Sequence, residues 1–390
     1  MRRAQSPLSL IFLTIFIDLV GFGIVIPILP LYAERFGASP WIIGWLVGIY
    51  SVMQCLAAPL LGKLSDRVGR RPVLLLSLLG TSAGFFLMGV ANSLPLLFAA
   101  RIIDGITGGN ISTAMAYIAD ITTPEERSRK MGLVGAAFGL GLIFGPAIGG
   151  LLSHFSIAAP FVFAGFLALG NALAVALRLP ESLPEAQRHQ AHRGGSVAEL
   201  FREAKESSLG TILGTYFFTT VAFSMLTSTY PLFTHHRFGY GVTQNGYIFA
   251  CQGLIGAAIQ GVLMGWLVRL TSDKWLTIAG TGVLTASLFL LPSSATPVWL
   301  FTATAGVAVG HALVGAPINA MASKSVSAAS QGRVLGLMQS AASVARIVGP
   351  VMGGWLLNHD AIQAASDFGR TPYWVGGCVM LIACMLAMAI

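Results

Sequence analysis

Charge is what this chain has least of. Only 10% of its 390 residues are Asp, Glu, Lys or Arg, and 15 of those are acidic. A soluble domain carries about 25% charged residues, so an ordinary fold in water is excluded. Cysteine is scarce as well: Cys55, Cys251, Cys378 and Cys384 all lie in apolar stretches and lack metal-ligand spacing with histidine. They read as small buried hydrophobes, and no metal is expected. No G-x-x-x-x-G-K-S/T loop occurs, which argues against ATP as a driver. Nor can a nucleophile–base arrangement be assembled, so neither an enzyme nor a cofactor is expected.

What remains is apolar. Hydrophobic residues make up 55% of the chain, and its mean hydropathy is +0.76. Runs of about 19–27 apolar residues recur throughout, each enough to cross a hydrocarbon core about 30 Å thick. Twelve are read at roughly 8–33, 39–61, 73–91, 94–119, 131–153, 157–179, 209–234, 242–268, 275–292, 296–321, 334–358 and 372–390. The 46 glycines suit that reading, because small residues let transmembrane helices approach closely. The fold class expected is an all-α membrane protein with twelve transmembrane helices. The first span follows a short basic stub and is too long for a signal-peptide core, so it is kept as a mature helix.

The net charge of +8 is distributed as membrane topology demands. With the N-terminus inside, eighteen Lys and Arg fall on the cytoplasmic side. Only Arg35, Arg237 and Arg370 fall outside, and Arg101 and Arg346 lie within spans. This is the positive-inside pattern, with both termini cytoplasmic, and it makes a nucleic-acid partner unnecessary.

The spans divide six and six around one long polar stretch. The expected organisation is an N-terminal bundle (1–179), a cytoplasmic linker (180–208) and a C-terminal bundle (209–390). In the linker, SVAELFREAKES (196–207) reads as an amphipathic surface helix, with Ser196 and Glu199 as a capping box. GPAIGG (145–150) recurs as GPVMGG (349–354), an offset of 204 residues, and at that offset Gly132 matches Gly336 and Arg129 matches Arg333. Two six-helix halves related by duplication, hence pseudo-symmetric, are expected.

Between the second and third spans lies GKLSDRVGRRP (62–72). Gly62 and Gly69 allow a tight reversal. Lys63, Arg67, Arg70 and Arg71 crowd around Asp66, and Pro72 opens the next helix where its missing N–H costs nothing. The pattern G-x-x-x-D-R-x-G-R-R between two spans resembles the signature of the major facilitator superfamily of secondary transporters. The fifth span carries G-x8-G-x3-G-P-x2-G-G through Gly132, Gly141, Gly145, Pro146, Gly149 and Gly150. Such small residues allow tight packing and the proline permits a bend. DLVGFGIVIPILP (18–30), the hinge and RIIDGITG (101–108) narrow the resemblance to twelve-helix drug:proton antiporters, especially tetracycline exporters. It covers most of the N-terminal half and is thinner in the C-terminal half.

The resemblance implies roles. The fifth-span pattern is associated with antiporters. The hinge (Gly62, Asp66, Arg67, Gly69, Arg70, Arg71) is implied to be a cytoplasmic latch that contacts the C-terminal half. Arg101 matches a fourth-helix arginine that helps to control protonation of the coupling site.

The residues add their own argument. Asp18 lies about ten residues, roughly 15 Å, into the first helix. A charge at that depth costs several kcal/mol, which points to a proton carrier, the structural alternative being a permanently paired carboxylate. Arg101 and Asp104 stand one helical turn apart and can pair locally. Asp104 is a second proton-carrier candidate, and a direct Asp18–Arg101 contact is left open. Cavity candidates are Gln54 and Asn110 in the first half, and Gln252, Gln260, His311, Asn319, Gln339 and Arg346 in the second.

Two departures bear on substrate. The acids that the resemblance places in the third and ninth helices are absent, Gly84 standing at the first position, and a histidine is missing near Gly256. The tetracycline–metal chelate is thereby put in doubt, and a more apolar or weakly cationic drug or metabolite stands level with it. The expected function is proton-coupled export of a small amphipathic compound by alternating access. The expected setting is a bacterial inner membrane, with the substrate, protons and the lipid bilayer as partners and a monomer as the oligomeric state. The alternatives are uptake by symport on the same fold and a non-transporting receptor or scaffold.

Overall fold

The structure, a computed structural model, describes residues 7–185, 208–326, 331–361 and 368–390. The amphipathic helix read at 196–207 lies outside them. The first half contains α1 (Pro7–Glu34), α2 (Pro40–Val68), α3 (Arg70–Gly89), α4 (Leu94–Thr107), α5 (Asn110–Asp120), α6 (Pro124–Leu152) and α7 (Ala159–Arg178). The second contains α8 (Leu209–Phe238), α9 (Val242–Leu270), α10 (Asp273–Leu290), α11 (Pro297–Lys324), α12 (Gln331–Asp360) and α13 (Arg370–Ala389). Among the described residues, 10 helices are long and apolar enough to cross a membrane. The fourth span is shared by α4 and α5, and α6 supplies the fifth with the apolar stretch Gly139–Leu152.

The fourth span departs from the continuous helix read at 94–119. Gly108 N–H donates to the Asp104 carbonyl at 2.7 Å and closes α4, and the chain turns through Gly109 before α5 begins. Two adjacent glycines weaken a helix by about 1 kcal/mol each, and they leave room here for the α2 side chains that hold the break. Gln54 Nε2 donates to the Gly108 carbonyl at 2.8 Å, so a backbone group freed by the break is satisfied.

The duplication is visible in helix deformations. Pro27 of α1 answers Pro231 of α8, and Pro146 of α6 answers Pro350 of α12, each pair 204 residues apart. Pro59 loosens α2, while the corresponding part of α9 contains a π-helical turn, Ile259–Leu263. Different chemistry thus relaxes the ladder at the same register.

Tryptophans mark the membrane edges. All seven are exposed: Trp41, Trp45, Trp299, Trp355 and Trp374 at the helix ends carrying few cations, and Trp266 and Trp275 near the opposite ends. Amphipathic rings favour the two interfaces.

The chain forms two compact units. One comprises Met1–Ala38, Ile49–His192 and Val242–Ala250; the other comprises Ser39–Gly48, Arg193–Gly241 and Cys251–Ile390. In the first, Leu10, Ile11, Ile15, Leu74, Leu78, Tyr117 and Val175 share a buried core. Within that unit α6 lies against α1 backbone to backbone. A Cβ at Gly145 would stand 2.6 Å from Gly23 Cα, and one at Gly141 would stand 2.5 Å from Leu19 Cβ. In the second unit, Ile259, Met264, Leu276 and Ala312 pack around the π-helical turn.

Each unit also carries one glycine clasp. In the first, a Cβ at Gly246 would lie 2.7 Å from both Gly150 Cα and the Pro146 carbonyl. In the second, a Cβ at Gly44 would lie 2.5 Å from the Pro350 carbonyl and 3.1 Å from Gly354 Cα. The same repeated GP-x2-GG motif therefore grips a helix start in each unit.

Candidate functional site

Asp18, Arg101, Asp104 and Asn110 gather in the first unit. Asp18, the twelfth residue of α1, accepts a hydrogen bond from the Asn110 side-chain amide. Asn110 is the first residue of α5, so the break after Gly108 sets its direction. It is 2% exposed, and neither its Oδ1 nor Asp18 Oδ1 has a hydrogen-bond partner in the structure. One turn of α4 away, Arg101 Nη1 lies 3.0 Å from Asp104 Oδ2, with side chains 2% and 7% exposed. Arg101 also lies over the Tyr50 ring, 4.4 Å from its centroid.

The local Arg101–Asp104 pair is therefore present, while Arg101 and Asp18 form no ion pair. Arg101 turns to Asp104 and Tyr50, and Asn110 takes the place next to Asp18. Asp18 thus has a neutral donor, and among the described residues no cation pairs with it. That arrangement can hold a proton or give way to a cation without unmaking a salt bridge. Gly84, where the resemblance places an acid, packs on this group. A Cβ there would meet Asp104 Cβ at 3.1 Å, so the carboxylate at that point comes from α4.

Tyr50 escaped the sequence reading, since an aromatic residue in an apolar span looks like packing. Its one signal is a position four residues before Gln54, on the same face of α2. Gln54 Nε2 lies 3.2 Å from the Tyr50 hydroxyl and is anchored to Gly108, so it supports the break.

The hinge is wired within the same unit. Arg70 bonds Ser65 Oγ at 2.6 Å, Asp66 Oδ1 at 2.6 Å and Asp120 Oδ2 at 3.1 Å. Asp120 in turn accepts from Ser182 Oγ at 2.9 Å. Gly69 takes φ 109°, a region that favours glycine, and turns the chain into α3. The carboxylate at the α3 N-terminus is Glu181, which accepts from Arg70 N–H at 2.8 Å and Arg71 N–H at 3.1 Å. Asp66 pairs with the Arg70 side chain. The Gly62 carbonyl accepts from Ser65 Oγ at 2.7 Å and so joins this network, while a Cβ at Gly62 would face open space and the Arg67 side chain is exposed.

Of the fifth-span motif, Gly141, Gly145, Pro146 and Gly149 face α1, and Gly150 forms the clasp with Gly246. Gly132 belongs to α6, in the part whose side chains are not described.

The second unit holds the remaining candidates separately. The His311 ring stacks on Phe223 with centroids 3.9 Å apart and planes 10° apart, and its Nδ1 is buried without a partner. Gln252 Nε2 is likewise unpartnered. Gln260 is exposed inside the π-helical turn, and Asn319 bonds back to the Gly315 carbonyl at 2.8 Å. Arg346 Nη2 lies 3.1 Å from Ser343 Oγ, near Tyr216. Gln339 is exposed on α12. At the 204-residue offset, Asp18, Arg101 and Asp104 correspond to Ala222, Ala305 and Ala308, so this charged group has no counterpart in the second half, whose buried carboxylate is Asp360 at the end of α12, bonded to Thr371.

Long apolar helices with aromatic edges, charge buried within α1 and α4 and duplicated glycine clasps define a multi-pass membrane transporter. The family model described as Major Facilitator Superfamily matches residues 11–350 and 263–390, and the chain belongs to that family, whose members are transporters and not enzymes. It is similar to the class C tetracycline resistance protein of Escherichia coli, with 33% identity over 397 residues, 99% of this chain and 97% of the relative. Multidrug resistance protein 2 of Bacillus subtilis (strain 168) is 29% identical over 395 residues, 98% of this chain and 95% of the relative. Among solved structures, the human organic anion transporter MFSD10 (TETRAN) superposes with TM-score 0.70 at 25% identity, covering 99% of this chain and 100% of that one.

Proposed function

We propose that this transporter exports a small amphipathic drug or metabolite in exchange for protons across a bacterial inner membrane, with both termini in the cytoplasm. The observation that carries the reading is Asp18, a membrane-embedded carboxylate with Asn110 as its donor and, among the described residues, no cation paired to it. An ionisable group at such depth is expensive to keep without a function. A proton arriving from outside neutralises Asp18, substrate leaves, and the protonated site returns inward. Arg101 tethers Asp104 in an ion pair, so Asp18 is the group free to exchange its proton. The relatives that confer tetracycline and multidrug resistance support export as the direction.

The substrate has an apolar body and a neutral or weakly basic end. The buried acids of the first half suit the basic end. One proton falling through about 150 mV supplies roughly 3.5 kcal/mol, at about 2.3 kcal/mol per charge per 100 mV. At about 1.4 kcal/mol per decade, that sustains a gradient of several hundredfold. The hinge network around Arg70 acts as a gate in the cycle, and the protein works as a monomer.

The test is proton flux in liposomes under an imposed pH gradient, with a panel of neutral and cationic aromatic compounds and tetracyclines. Compound-dependent proton movement opposite to compound movement supports export. Movement in the same direction overturns it in favour of symport.

A further inference from the structure

Between α3 and α7 the outer surface of the first unit carries a groove of about 530 Å³, lined by Leu75, Leu79, Phe166, Leu169, Gly170 and Leu173. Its walls are exposed apolar side chains: Leu79 is 50%, Phe166 63% and Leu173 59% exposed. In a membrane protein these faces meet hydrocarbon. Gly170 leaves the groove open, since a Cβ there would touch nothing within 4 Å.

The groove ends at a cation. Ala176 lines its last turn, and the Arg71 guanidinium donates to the Ala176 carbonyl. Arg71 Nε is buried with no partner. The nearby carboxylates are engaged elsewhere: Glu181 accepts from the backbone N–H groups of Arg70, Arg71, Ser182 and Leu183, and Asp66 and Asp120 pair with Arg70. The Arg71 side chain thus forms no ion pair with any of the three. Arg178 ends α7 at the same level and is exposed.

The dimensions match one leaflet. From Arg71 to Leu79 is eight residues and from Phe166 to Arg178 twelve, roughly 12 and 18 Å at about 1.5 Å per residue. Half of a hydrocarbon core about 30 Å thick is about 15 Å.

We propose that this groove is a binding site for one anionic phospholipid of the leaflet on the basic side, an acyl chain lying between α3 and α7 and the phosphate resting on Arg71. A fixed cation at the mouth of an apolar slot selects charge as well as chain. Because Arg71 directly follows Arg70 and shares Glu181 with it, the lipid reaches the hinge through one residue.

The test is native mass spectrometry of the full chain released from mild detergent, with phosphatidylglycerol and phosphatidylcholine of matched chains supplied in turn. The wild type should retain one phosphatidylglycerol, with about a fivefold preference over phosphatidylcholine. Gly170→Phe, which places a ring in the slot from a Cβ position with nothing within 4 Å, should lose the retained lipid of either kind. Arg71→Gln should still take a chain but lose the preference. Leu173→Phe provides a second filled slot, should Gly170→Phe fail to give a folded, monodisperse protein. Equal retention of the two lipids by the wild type would overturn the proposal, as would a filled variant that keeps phosphatidylglycerol at the wild-type level.

Discussion

Asn110 donates its side-chain amide to Asp18 across the interface of α1 and α5. The contact depends on the fourth span stopping at Gly108 and starting again at Asn110. The helix break, the Gln54 anchor and the buried acid therefore form one construction. Asn110→Ala should leave the fold intact and slow proton-coupled transport at least tenfold, since Asp18 loses the one side-chain donor it has among the described residues. Gly108→Ala should do likewise, because a Cβ there would meet the Tyr50 hydroxyl at 2.5 Å. Initial rates in liposomes, set against thermal unfolding of the same samples, separate function from folding.

The Arg101–Asp104 pair carries a stability prediction. Removing one partner of a buried pair strands the other and costs about 3–5 kcal/mol, while replacing both with apolar residues is much milder. Arg101→Leu should lower the unfolding midpoint sharply, and adding Asp104→Leu should restore most of the loss. Tyr50→Leu should cost about 0.5–2 kcal/mol through the lost cation–π contact. If the double variant were as unstable as the single one, the pair would not be acting as a unit.

Each half ties the start of its third span to the end of its fourth by an ion pair, with the charges exchanged. Arg70 meets Asp120 at 3.1 Å in the first half, and Asp273 meets Lys324 at 2.6 Å in the second. The two are unequal in setting. Lys324 is 70% exposed, whereas Arg70 is 10% exposed and shared with Ser65 and Asp66. Lys324→Ala should therefore change stability by less than about 1 kcal/mol. Asp120→Ala should cost more and also disturb transport, because it unties Arg70 and Ser182 together.

The glycine clasps make a paired prediction. Gly150→Leu and Gly354→Leu each drive a side chain into a facing backbone, at Gly246 and Gly44 respectively. Both should abolish transport while leaving the protein in the membrane. Gly139→Leu, on the same helix as Gly150 but facing open space, should transport normally.

Much of this was legible in the sequence. Spans, charge asymmetry and duplication come from composition and spacing, which hydrocarbon enforces strongly. The Arg101–Asp104 pair is local, one helical turn apart, and could be read directly. The break at Gly108 could not, because glycines inside an apolar span also serve close packing. The Glu181 cap on α3 was hidden by distance, its partner lying 111 residues away in the chain. Tyr50 was hidden by its chemistry, since only the folded arrangement shows that its ring faces a guanidinium. The Asp18–Asn110 contact was missed for a similar reason, Asn110 having been read as a residue of the cavity wall.

The most direct test of the account is pH-gradient-driven substrate uptake by Asp18→Asn in inverted liposomes, measured beside gradient-free exchange of labelled substrate. Asparagine keeps the size and the hydrogen bond with Asn110 but cannot carry a proton. The account predicts loss of gradient-driven accumulation with the fold, and some exchange, retained. Accumulation at the wild-type level would contradict it and move the coupling away from Asp18.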